Sequence, residues 1–142
     1  MVLHPIFVHF PIGLFTTAFI FEIIEFIARD KFKNLSLFVL SLSVLFSIIA
    51  AQTGNIEARE LPLSGDLRKT LILHQENANL FLFVSALIFM LKLYISLRFK
   101  NLSFLVFILL IALYLVGLLF VSRTAYYGTK LVFEYGVGIK QN

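Results

Sequence analysis

Four stretches of the chain, Pro11–Ala28, Leu35–Thr53, Ala78–Leu97 and Leu102–Ser122, are apolar over close to the length a helix needs to cross a bilayer. A span takes about 20 such residues, because the hydrocarbon core is about 30 Å thick and a helix rises about 1.5 Å per residue. In hydrocarbon every backbone N–H and C=O must find its partner inside the protein, so helices are the natural solution for segments of this length. Composition agrees: 60% of the 142 residues are hydrophobic and the mean hydropathy is +0.95, well outside the range of a soluble domain. The expected fold is all-α, a four-helix transmembrane bundle of two hairpins forming a single domain over residues 1–142. Spans are expected near residues 5–28, 35–53, 74–97 and 102–122, with a surface tail over 123–142. The first span lacks a basic n-region and a small-residue cleavage site, so it reads as a retained helix rather than a signal peptide.

Charge orients the bundle. Arg29, Lys31 and Lys33 fall in the turn between spans one and two, and Arg98 and Lys100 in the turn between spans three and four, with Lys92 close enough to snorkel toward them. Short loops rich in Lys and Arg stay in the cytoplasm. Both chain ends and the loop Gly54–Leu73 then face outward, and the protein is expected in a bacterial inner membrane as a multi-pass chain. The net charge of +4 is spent on this topology and is no nucleic-acid footprint. Asp66 is placed to cap a helix leading into span three, and Tyr126, Tyr127 and Tyr135 suit an interface.

One internal repeat is visible: Phe32-Lys33-Asn34-Leu35-Ser36 recurs as Phe99-Lys100-Asn101-Leu102-Ser103. It is either convergence on a basic turn with an Asn cap, or the mark of two hairpins related by a two-fold axis along the membrane normal. On both readings Leu35 and Leu102 begin equivalent helices, and spans one and three correspond.

The chain has three histidines, His4, His9 and His74, and no cysteine. The absence of cysteine excludes disulfides, thiolate metal sites, iron–sulfur ligation and covalent c-type haem. All three histidines fall on the outward face. His9 to Ala28 is about 28 Å of helix and His74 to Leu97 about 35 Å, so His9 and His74 lie at similar depth near the outer boundary. Two imidazoles on equivalent helices at matched depth can clamp a haem, so His9 and His74 are the expected metal ligands, with His4 in support. Gly13 and Ala78, one turn after His9 and His74, leave room for a flat macrocycle. Pro5 biases His4 toward an extended conformation, and Pro11 starts or kinks the first helix. A kink there frees the Phe7 carbonyl to orient a histidine. Arg123 is the candidate partner for a haem propionate.

Glu22 and Glu25 lie within span one. Intramembrane carboxylates often mark proton or ion paths. Glu25 stands one turn from Arg29 and is expected to pair with it, leaving Glu22 as the candidate for a proton role. Gln52, Glu76 and Asn77 are placed to hydrogen-bond a quinone or a histidine, or simply to be solvated. No nucleophile-and-base set, phosphate loop or H-E-x-x-H motif occurs, so an enzyme acting alone is not expected.

These residues support three functional readings. The first is a b-type cytochrome with one bis-histidine haem near the periplasmic face, passing electrons between quinol or a larger respiratory complex and a periplasmic redox protein. The second is a copper or zinc site built from all three histidines. The third is a cofactor-free accessory subunit of a membrane complex. A homo-oligomer is compatible with all three.

The opening His4-Pro5-Ile6-Phe7-Val8-His9-Phe10-Pro11-Ile12 resembles the H-P-x-x-V-H-F-P-I start of the DUF2231 family of small four-span bacterial membrane proteins. Ala51-Gln52-Thr53-Gly54 is similar to that family's A-x-T-G at the end of helix two. His74 matches the start of helix three, and Leu131-Val132 followed by Gly136-Val137-Gly138-Ile139 resembles the family's tail. The resemblance implies a polar site of His4, His9 and His74, with Gly54, Gly136 and Gly138 shaping its surround. It also implies electron transfer, because some members are fused to Rieske-type domains. This chain departs from the pattern at Phe133-Glu134-Tyr135, where many relatives are expected to carry a basic residue or histidine.

Overall fold

The computed structural model describes residues 4–28, 34–59, 61, 65–99 and 102–138. Among them lie a one-turn helix, α1 (His4–Phe7), and four long helices, α2 (His9–Ala28), α3 (Leu35–Ala58), α4 (Gly65–Arg98) and α5 (Phe104–Phe133). Helices α2 to α5 are each long and apolar enough to cross a membrane, with mean hydropathies of 1.8, 2.2, 2.3 and 3.1 over their best windows. Their apolar side chains face outward: Phe83, Leu105, Met90 and Leu119 are all well exposed. Beside an apolar core, the interior holds small and polar residues, Ser36, Ser43, Ser47, Ser85, Glu22 and Lys92 among them. An apolar exterior suits lipid, where small residues let backbones approach and polar residues face the bundle interior.

The two hairpins are α2–α3 and α4–α5, each with an extensive internal interface; they join along α3 and α4, and α2 meets α5 less closely. Phe15 centres the core. Its ring lies 5.0 Å from Phe81 and 5.2 Å from Tyr114. It can do so because Gly117 on α5 has no side chain: a Cβ there would collide with the Phe15 ring.

The two copies of the repeat fold differently. Asn34 precedes α3 in the left-handed region (φ 66°) and its side chain caps nothing; its Oδ1 instead accepts a hydrogen bond from Ser96 at 2.8 Å. Asn101 lies outside the described residues. Helix α5 starts at Phe104, two residues beyond Leu102, because Ser103 is its N-cap and accepts the Val106 N–H at 3.3 Å. The counterpart of Ser103 in the first copy, Ser36, is buried inside the bundle.

At the other end the helices run further than hydrophobicity alone suggests. Helix α3 extends to Ala58, α4 begins at Gly65 with Asp66 in its first turn, and α5 continues to Phe133 instead of releasing a tail at Arg123. Gly136 (φ 66°) then turns the chain. Its N–H bonds the Val132 carbonyl at 3.1 Å, and the Val137 N–H bonds Leu131 at 2.9 Å. Val137 and Leu131 pack with Ala58 and Leu71 in a second apolar cluster, which closes this end of the bundle.

Candidate functional site: a histidine pair between two helix backbones

Pro5 lies in the first turn of α1, where a missing N–H leaves no helix bond unmade. His4 is therefore helical, not extended as the His-Pro pair suggests. The chain breaks at Val8, ahead of Pro11, and the Val8 N–H still reaches the His4 carbonyl at 3.1 Å. This turn lays His4 against α3. The His4 backbone N–H donates to Glu57 Oε1 at 3.0 Å, and His4 Nδ1 meets the Ala50 carbonyl at 2.9 Å. Four residues after Ala50 comes Gly54, and a Cβ on it would stand 2.8 Å from His4 Cε1. The ring rests directly on bare helix backbone.

His74 is held in the same manner by the other hairpin. Its Nδ1 meets the Thr124 carbonyl of α5 at 2.9 Å. Four residues after Thr124 comes Gly128, where a Cβ would stand 3.2 Å from His74 Cε1. Each histidine thus spans one helix turn of its partner, from a carbonyl to a glycine. The two rings face each other with centroids 6.1 Å apart and planes at 88°.

The acceptors settle the tautomers. A carbonyl oxygen only accepts, so both Nδ1 atoms carry the hydrogen and both Nε2 atoms present a lone pair in the neutral ring. A hydrogen bond on the far nitrogen is the usual way a protein orients and strengthens an imidazole ligand. The orienting carbonyls are those of Ala50 and Thr124, not the Phe7 carbonyl that a kink at Pro11 suggested.

The structure brings His4, rather than His9, beside His74. His9 begins α2 and is exposed. Gly13 is also exposed, with nothing near the position of its absent side chain; Ala78 is half-buried. Arg123 is exposed and lines an open cleft with Leu119, Ser122, Tyr126 and Tyr127. Asn77 is buried and bonds the Leu73 carbonyl of its own helix at 2.7 Å; Gln52 and Glu76 are exposed. Among the described residues, no group of three or more His, Asp or Glu side chains is arranged to hold a metal ion.

Sequence reasoning passed over Gly128 and the carbonyls of Ala50 and Thr124. The available signal was a second copy of Ala-x-x-Gly: Ala51-Gln52-Thr53-Gly54 on α3 is matched by Ala125-Tyr126-Tyr127-Gly128 on α5.

A second polar centre lies at the opposite end, beside the short turns. Glu22 and Glu25 of α2, Ser36 of α3 and Lys92 of α4 converge there. Lys92 does not snorkel outward: it is buried, with Nζ against Glu22 Oε2 and Ser36 Oγ and 3.1 Å from Glu25 Oε2. Glu25 pairs with Lys92 and also accepts the Ser36 N–H at 2.7 Å, serving the start of α3 as a cap from a neighbouring helix. Arg29, its expected partner, lies outside the described residues.

No curated protein and no solved structure matches the chain. A family model described as "Predicted membrane protein (DUF2231)" matches residues 1–141. Four apolar helices, the opening histidine motif and the glycine-containing tail all fall within that match, and the chain belongs to the DUF2231 family of membrane proteins.

Proposed function

We propose that this chain is a membrane electron-transfer protein whose redox centre is held between His4 and His74, with haem b as the group that best suits the donor set. The observation that carries the reading is the matched pair of 2.9 Å bonds from Nδ1 to helix carbonyls. They leave two oriented Nε2 lone pairs on rings whose centroids are 6.1 Å apart. Rings at that separation would leave space for one metal ion held by both histidines.

The number of donors favours haem over a bare ion. Zinc and copper sites take three or four protein ligands, and among the described residues no set of three is present. A haem brings its own four equatorial nitrogens and asks the protein for two axial ones. When bound, it supplies one-electron chemistry at iron. The chain's part is to hold both rings rigidly, through the Ala50 and Thr124 carbonyls and the glycines beneath them. A group that His4 and His74 would hold between them would supply electron transfer rather than binding and activation of a substrate. Arg123 is adjacent in sequence to Thr124 and is our candidate for a propionate.

The basic turns support a bacterial inner membrane with the histidine end on the periplasmic side. Quinol, a periplasmic redox protein or a larger respiratory complex are the partners that fit there.

Visible spectra of the purified protein, oxidised and dithionite-reduced, test the reading. Sharp reduced alpha and beta bands are expected, lost in both His4→Ala and His74→Ala and kept in His9→Ala. A featureless spectrum from protein made with ample haem overturns it. Metal analysis then separates a bare-metal protein from a cofactor-free subunit.

A further inference from the structure

Among the described residues, the cluster at the turn end has more carboxylates than its one cation neutralises. Among the described residues it contains Glu22, Glu25, one ammonium (Lys92) and one hydroxyl (Ser36). Tyr114 is the titratable group of α5 buried in the adjoining core, and its hydroxyl has no hydrogen-bond partner. Arg98 of α4 is exposed, and Arg29, Lys31 and Lys33 of the turn lie outside the described residues.

Donor counting separates the two carboxylates. An ammonium has three hydrogens, and Lys92 has three acceptors: Glu22, Glu25 and Ser36. The Ser36 hydroxyl has a single hydrogen to donate, and its oxygen lies nearer Glu25, at 2.8 Å, than Glu22, at 3.3 Å. Glu25 thus collects Lys92, the Ser36 hydroxyl and the Ser36 N–H. Its side chain is also 14% exposed, against 1% for Glu22. Glu25 has what a buried anion needs. Glu22 is the deeper group and has fewer donors.

We propose that the cluster is a proton-binding site in which Glu22 is the carrier. One proton from the aqueous phase at the turn end adds to the Glu22 carboxylate and leaves by the same route, while the Lys92 ammonium stays with Glu25. Glu25, the more exposed of the two carboxylates, is where the proton enters. A charge left over in an apolar interior is strongly disfavoured unless it is paired, and a proton on Glu22 balances the cluster at one anion and one cation. The site stands on its own geometry, whatever the histidines bind.

Infrared difference spectroscopy of the full chain in lipid nanodiscs, titrated with pH, tests this. We expect one reversible carboxylic-acid C=O band that shifts in deuterated water, disappears in Glu22→Gln and, in Glu25→Gln, keeps its frequency while its midpoint moves to lower pH, because that variant removes the surplus charge. Absence of any such band, or its survival in Glu22→Gln, overturns the proposal. Should Glu22→Gln fail to fold, Glu22→Asp decides: a band with a displaced midpoint supports Glu22 as carrier, and an unmoved midpoint overturns it.

Discussion

His4 and Gly54 are in such close contact that the glycine is part of the histidine's seat: a methyl group on Gly54 would lie 2.8 Å from the His4 ring. Gly128 stands in the same relation to His74 with more room, at 3.2 Å. The symmetry of the pair is therefore not matched by equal tolerance.

Gly54→Ala should displace the His4 ring from the Ala50 carbonyl, at a cost of about 1–3 kcal/mol typical of overpacking. Gly128→Ala should cost less, since a shift of a few tenths of an ångström relieves it. Thermal unfolding of the two variants in one detergent checks the ranking. Equal losses would show that the ring does not rest on Gly54 as described.

Removing the cation from the other centre should be severe. Lys92→Met leaves Glu22 and Glu25 buried against each other, and stripping one partner from a buried pair costs about 3–5 kcal/mol. Adding Glu22→Gln and Glu25→Gln to Lys92→Met should recover most of that loss. Unfolding of the single and triple variants in detergent reads the difference directly.

Gly117→Val should push the Phe15 ring off α5 and lower stability by about 1–3 kcal/mol. Phe15→Leu in the same chain should return part of it. A double-mutant cycle with a coupling near zero would argue against this contact.

The two copies of the turn repeat should answer mutation differently. Ser103→Ala should lose about 1 kcal/mol as a lost N-cap. Asn34→Gly should be tolerated, because Asn34 occupies the left-handed region, whereas Asn34→Ala should lose about 1–2 kcal/mol. Helix content and melting temperature of the three variants distinguish them.

The helices and their pairing were legible because bilayer thickness and backbone satisfaction leave so few alternatives. Depth along a helix was legible too, and it put His74 and the histidine-bearing opening at one end of the bundle, where the His4 and His74 rings are neighbours. What depth does not convey is azimuth. His9, at the start of α2, is exposed, and it is His4 of α1 whose ring neighbours that of His74. The outward snorkelling expected of Lys92 went wrong for a related reason. Its partners lie on α2 and α3, far away in sequence, and nothing local to Lys92 announces them. The repeat was real as a string and divergent as structure, since cap geometry at Ser103 and a left-handed Asn34 are decided by the turn as a whole. The helical extension to Phe133 was missed because hydrophobicity fades before the helix ends there, ahead of the turn at Gly136.

Lys92 also sets an order of events during biogenesis. A lysine costs about 2.5–3.5 kcal/mol at the centre of a lone span, and less near its end, where Lys92 lies. Both its carboxylate partners and Ser36 belong to the hairpin that is synthesised first. The first hairpin is thus a docking template for the second, and α4 becomes stably lodged only once α2 and α3 are already in place.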